Sequence, residues 1–156
     1  MKFVLCNLAT AKEPWADEAA RLYTAKINHY TAFEIQTLKP KKSPRDEAPQ
    51  KKRDESDLIL SSLSTSDYIV AFDERGKVFN SLEFAKKIDN ILMSSKKRAV
   101  FVIGGAYGFT DEVRERADLV VSLSPMVMNH LLAQTVALEQ IYRAFTILKN
   151  IPYHNA

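Results

Sequence analysis

Residues 101–112, FVIGGAYGFTDE, carry the spacing with the clearest chemical content. An apolar run meets Gly104 and Gly105, a third glycine follows at Gly108, and Thr110-Asp111-Glu112 opens a helical pattern. Glycines at the end of a buried strand let backbone approach a ligand closely. They serve equally well in a tight strand–helix turn with no ligand. The pattern is G-G-x-x-G, not the dinucleotide fingerprint G-x-G-x-x-G, and no Lys-Ser/Thr pair follows, so it is not a P-loop. Asp111 and Glu112 suit the positive end of the following helix and occupy the place a phosphate would need. The loop therefore favours a neutral or cationic ligand over a nucleotide polyphosphate.

Two further stretches hold candidate groups. LSPMVMN (123–129) precedes the longest apolar helical pattern. Its flexible side chains suit closure over a flat ring, or the stretch is a plain connection. In that last helix Gln134, Glu139, Tyr142 and Arg143 interrupt the apolar periodicity, and Tyr153 and His154 stand near the chain end. A free tail is normally disordered, which would leave a Tyr-His pair idle. His29, His130 and His154 lack metal-ligand spacing and there is one cysteine, so no metal site is expected. No Gly-x-Ser-x-Gly elbow marks a hydrolase.

These groups need a frame. The length of 156 residues implies one domain, residues 1–156, and 46% hydrophobic residues suffice for a core. No apolar run approaches the roughly 18–20 residues of a membrane span. KFVLCNL (2–8) reads as a first strand, not a signal peptide. Cys6 within it reads as a buried inert thiol, which points to the cytoplasm. Net charge is only +3, but residues 39–53 hold seven Lys/Arg against two Asp/Glu. That proline-broken stretch, with Lys41, Lys42, Lys51 and Lys52, is either a solvated loop or a patch for an RNA backbone.

Hydrophobic periodicity predicts strands at 2–8, 33–38, 67–72, 98–104 and 118–124. Helices are predicted from Pro14, over about 50–63, from Asn80 or Ser81 to Met93, over 110–117 and over 130–148. The first helix is expected to bury Trp15, Ala19, Leu22 and Ile27, and DERGKVFNS (73–81) to form a loop. Alternating strands and helices imply an α/β fold with a mostly parallel sheet. Ligands bind such sheets beyond the strands' carboxyl ends. The unusual ends here are Phe72-Asp73, Gly104-Gly105 and Leu123-Ser124-Pro125.

Taken in order, DERGK (73–77), FVIGGAYGF (101–109), SLS (122–124), EQIYRAFTI (139–147) and PYH (152–154) resemble the RlmH-type family of ribosomal RNA large-subunit methyltransferases, in the SPOUT superfamily. The resemblance covers essentially the whole chain. It implies a SPOUT-type α/β knot with helices on both sheet faces and a C-terminal trefoil knot. It implies a homodimer that moves a methyl group from S-adenosylmethionine to N3 of a pseudouridine in large-subunit ribosomal RNA, within assembled ribosomes. Cofactor contacts then fall on Phe72, Gly104, Gly105 and the run Leu123, Ser124, Pro125, Met126, Val127, Met128. His154 is expected to take or relay the imide proton, Arg143 to orient a carbonyl or phosphate, and Tyr153 to pack on the base. His130 joins the four lysines as an RNA contact. The sequence departs from the family pattern at Asn129 (usually Pro), Gln134 (usually Arg), Asn155 (usually basic) and Leu8-Ala9 (usually Gly-Lys). The other function class is a cofactor-binding, ribosome-associated module with little or no transferase activity.

Overall fold

The computed structural model describes residues 1–41 and 48–155. Five strands and five helices alternate. They are β1 (Lys2–Leu8), α1 (Pro14–Asn28), β2 (Ala32–Leu38), α2 (Ala48–Ser61) and β3 (Asp67–Val78). Then come α3 (Ser81–Leu92), β4 (Arg98–Ile103), α4 (Asp111–Arg116), β5 (Leu119–Ser122) and α5 (His130–Leu148). The strands form one sheet in the order β2-β1-β4-β3-β5, and every pair is parallel. The expected α/β architecture with helices on both faces is present.

The strand sequences explain the layering. β1 and β4 are buried almost throughout, as continuous apolar runs covered on both faces must be. β2, at an edge, keeps the half-solvated character of its alternating sequence. Phe3, Leu5, Phe101 and Ile103 pack on one face with Ile27 of α1, Phe84 and Ile88 of α3, and Leu138 and Ile141 of α5. Val4, Cys6, Val100 and Val102 pack on the other with Ile59 of α2 and Val113 of α4. Burial pushes the Cys6 thiol pKa up, as an inert core thiol requires. Asn80 caps α3 through a reciprocal capping box with Glu83. No described helix is long and apolar enough to cross a membrane.

Three expectations are corrected. The buried face of α1 is Ala16 and Ile27, with Ala20 and Tyr23 against the core, while Trp15 and Leu22 are exposed. Small residues thus form part of the inward face of α1, and the larger Trp15 and Leu22 face outward. The stretch 73–78 is not wholly a loop. β3 pairs with β5 up to Phe72, bulges, and resumes the pairing at Lys77. Gly76 permits this, because a Cβ there would lie 2.7 Å from the Val120 carbonyl carbon and oxygen. The basic stretch is also partly helical: Lys51 and Lys52 sit in the first turns of α2, Lys41 is exposed after β2, and Lys42 lies outside the described residues.

The amino ends of β3 and β4 are tied by Asp67 and Arg98. The Arg98 guanidinium donates to both carboxylate oxygens, at 2.9 and 2.7 Å, and the Ser64 amide donates to the same carboxylate at 2.8 Å. Burial alone would raise the Asp67 pKa, but the Arg98 and Ser64 bonds outweigh it and hold the carboxyl below the ordinary aspartate range. A lowered folded-state pKa stabilises the fold above the unfolded-state value, and that stabilisation is lost as pH falls through the folded one. Asp67→Asn should therefore cost about 1.5–3 kcal/mol at neutral pH, the scale of hydrogen bonds to a charged group. The deficit should shrink below about pH 4, where the Asp67 carboxyl of the unfolded chain begins to protonate while the folded one is still charged. Denaturant melts of both proteins at several pH values check the size and the sign.

Candidate active site

Parallel registration places Phe72 beside Ile103 on one side and Val121 on the other, so the first stretch of β3 stops level with the end of β4 and beside β5. The chain leaving these ends encloses a cavity of about 320 Å³, a size suited to a small organic ligand. Its lining comes from the β3 excursion (Phe72 to Arg75), the glycine loop (Ile103 to Phe109), the stretch after β5 (Leu123, Ser124, Met126 to Asn129), and His130 and Ala133 of α5.

Local physics fixes each wall. In the glycine loop the Gly108 amide donates to the Gly105 carbonyl at 3.0 Å, closing a tight turn. Gly108 has φ 78°, a left-handed conformation that suits glycine. Arg114 of α4 joins two walls: one guanidinium nitrogen donates to Asp73 at 3.1 Å and to the Phe109 carbonyl at 3.0 Å. Its other terminal nitrogen pairs with Asp111. After β5, the Ser124 hydroxyl accepts the Met126 amide at 3.0 Å, and Asn129 caps α5 by accepting the Leu131 amide at 2.9 Å. The asparagine that replaces the family's usual proline thus has a clear structural task.

Of the residues expected to hold a cofactor, Phe72, Gly104, Gly105, Leu123, Ser124, Met126, Val127 and Met128 line this one cavity. Pro125 lies between lining residues without joining them. His130, expected as an RNA contact, lines the cavity at the start of α5. Its Nε2 is buried without a hydrogen-bond partner among the described residues. Gln134, one turn on, is buried and accepts a hydrogen bond from Asn7 at the end of β1. An uncharged pair stands where the family pattern has an arginine.

His154, Tyr153 and Arg143 are brought together, but not at the cavity lining. They meet around Glu139 on the outer part of α5. Arg143 pairs with Glu139 at 2.6 Å and donates to His154 Nδ1 at 3.2 Å. The Tyr153 hydroxyl donates to Glu139 Oε1 at 3.0 Å, and the Arg143 guanidinium stacks 4.7 Å from the Tyr153 ring. Tyr142 packs edge-on against that ring at 4.9 Å. Burial and then the Glu139 bond raise the Tyr153 pKa, which keeps the phenol protonated. The tail is therefore held against α5 through Glu139 and Arg143. Because guanidinium only donates, His154 Nδ1 accepts, and the neutral ring carries its proton on Nε2.

Sequence reasoning missed Arg114 and gave Glu139 no role. The i, i+4 spacing of Glu139 and Arg143 was the available signal for the second. For Arg114 the i, i+3 spacing from Asp111 was the local signal, but its contacts to Asp73, 41 residues back, and to the Phe109 carbonyl gave none. Among the described residues no group of three His, Cys, Asp or Glu side chains is placed to hold a metal ion.

Comparison with known proteins agrees with this geometry. Residues 1–154 match a family model described as "Predicted SPOUT methyltransferase". The chain is 64% identical over 155 residues to the ribosomal RNA large subunit methyltransferase H of Bdellovibrio bacteriovorus, with 99% of each chain covered. It is 40% identical over 155 residues to the protein of that name from Trichlorobacter lovleyi, covering 99% of this chain and all of the other. To the one from Syntrophotalea carbinolica it is 37% identical over 155 residues, with 99% of each covered. With a match that takes in the cavity loops and the tail cluster alike, the chain belongs to the SPOUT methyltransferase family.

Proposed function

We propose that the chain transfers a methyl group from S-adenosylmethionine to ring nitrogen N3 of a pseudouridine in large-subunit ribosomal RNA, working as a homodimer on assembled ribosomes. The observation that carries this reading is the cavity at the ends of β3, β4 and β5, built from the loops where a donor was expected. When bound, S-adenosylmethionine supplies an electrophilic methyl group on a sulfonium cation. The residues fit such a molecule. Phe72, Leu123 and Met126 offer apolar surface for a flat ring, and backbone groups of the loops offer hydrogen bonds to its edge. The carboxylates of Asp73 and Glu74 are compatible with a cation, and His130 at the start of α5 lines the same cavity.

The acceptor is an imide that must lose its proton, so a base near N3 accelerates transfer. His154 takes this role through Nδ1, which is free to accept once Arg143 turns from it to a phosphate or carbonyl of the RNA. Arg143 then orients the substrate, and Tyr153 packs against the base. The tail cluster and the cavity lining are separate sets of residues in one chain, which favours a dimer in which each tail completes the partner's cavity. Exposed Met126, Val127, Leu132 and Ile151 supply apolar surface for such pairing. The C-terminal segment is threaded as the knot of the family. Lys41, Lys42, Lys51 and Lys52 bind phosphates beyond the site, positioning the enzyme without reading sequence.

Gly104→Val should abolish S-adenosylmethionine binding. A Cβ at 104 would lie 3.0 Å from the buried Phe109 ring, so the branched side chain must push the loop out of shape. Calorimetry on the folded variant is the check, and unchanged affinity would rule out this cavity.

His154→Ala should lower methyl transfer roughly 10²–10⁴-fold, the usual contribution of a general base, while leaving cofactor affinity unchanged. Mixed with Gly104→Val, it should regain activity, because a heterodimer carries one intact cavity facing one intact tail. No recovery in exchanged mixtures would place both halves in the same subunit.

Reversing Lys41, Lys42 and Lys52 to Glu should weaken ribosome binding without changing cofactor affinity. The log–log salt slope should fall by about 0.7–0.9 for each phosphate that is no longer neutralised. An unchanged slope with normal methylation would confine the RNA site to Arg143 and the tail.

A further inference from the structure

Resting on the reading of the cavity as a methyl-donor site, we propose that Glu55 of α2 is a positioning residue that sets the shape of the glycine loop from behind. Nothing in a basic, solvent-facing helix start requires a buried acid, yet Glu55 is 5% exposed and its neighbour Ser56 is fully buried. Both share the inner side of α2 with Ile59. The Glu55 carboxylate lies where a side chain at position 105 would go: a Cβ built on Gly105 collides with it. The second glycine of the pair is thus explained by Glu55, as the first is by Phe109.

The same helix touches the loop at two further points. The Ser56 hydroxyl accepts the Thr110 amide at 3.0 Å, fixing the loop's exit into α4. Lys51, one turn before Glu55, holds its ammonium 5.9 Å from the Tyr107 ring at the loop's tip. Residues 105, 107 and 110 are therefore all supported from α2. Burial raises the Glu55 pKa, with Lys51 opposing, so the carboxyl is kept at an electrostatic cost that an apolar residue of similar size would avoid. The contacts by which this side of α2 shapes the loop are the Glu55 carboxylate behind Gly105 and the Ser56 hydroxyl on the Thr110 amide. In that role Glu55 acts on the donor through Gly104 and Gly105 and does not touch it.

The test is a double-variant cycle read by S-adenosylmethionine calorimetry and by steady-state kinetics, with thermal melts confirming folding. Glu55→Ala should raise the donor Kd and KM about tenfold while kcat at saturating donor stays near the parent value. Glu55→Gln, which keeps the shape and an acceptor oxygen, should restore most of the affinity. Gly105→Ala alone should lose affinity through the collision, and Glu55→Ala in the same chain should recover part of it. Parent-like affinity in Glu55→Ala, or a double variant no better than Gly105→Ala alone, would overturn the proposal. A parent chain that fails to bind S-adenosylmethionine would instead overturn the reading of the cavity on which it rests.

Discussion

The Arg114 guanidinium joins the β3 excursion at Asp73, the glycine loop at the Phe109 carbonyl, and its own helix at Asp111. Only 17% of its side chain is exposed, and the Asp73 side chain is 5% exposed. Removing one partner of such a pair strands the other charge in a poorly solvated place, which costs far more than an ordinary surface ion pair. Two walls of the cavity therefore hold a common geometry because one side chain bonds to both. The third wall, after β5, is set by the Ser124 turn and the Asn129 cap. The Gly76 approach to Val120 lets the β3 excursion return to its pairing.

Sheet order gives these contacts their setting. β4 is central, with β1 on one side and β3 and then β5 on the other, so the ends that carry the loops are adjacent. α5 then serves two regions of the molecule. Its first turn presents His130 to the cavity, and its third and fourth turns carry Glu139 and Arg143, which anchor Tyr153 and His154. A single rigid helix thus fixes the distance between the ligand cavity and the tail cluster.

Much of this frame is legible in the sequence because strand burial and glycine chemistry are local. Continuous apolar runs at 67–72 and 98–103 identify doubly covered strands, and G-G-x-x-G marks a loop that lines the cavity. Periodicity misplaces the buried face of α1 because large apolar residues dominate it, whereas the inward face includes the small Ala16 and Ala20. The resumption of β3 at Lys77 is hidden because Asp-Glu-Arg-Gly reads as a turn, and only the contact with β5 reveals why Gly76 sits there. Glu55 and Arg114 are invisible for a related reason: a charged residue on a helix reads as solvated until its tertiary partners are known. Within the site, the loops that line the cavity are identified almost residue by residue. What sequence does not convey is that the His-Tyr-Arg group and the cavity lining are distinct sets.

Transfer of labelled methyl from S-adenosylmethionine to ribosomes that lack the modification tests the central claim most directly, with free ribosomal RNA as the parallel substrate and nucleoside mass analysis to locate the product. The account predicts label on N3 of one pseudouridine in large-subunit RNA, with assembled ribosomes strongly preferred over free RNA. Tight binding of S-adenosylmethionine without transfer to either substrate, or label on a different nucleoside, would contradict it.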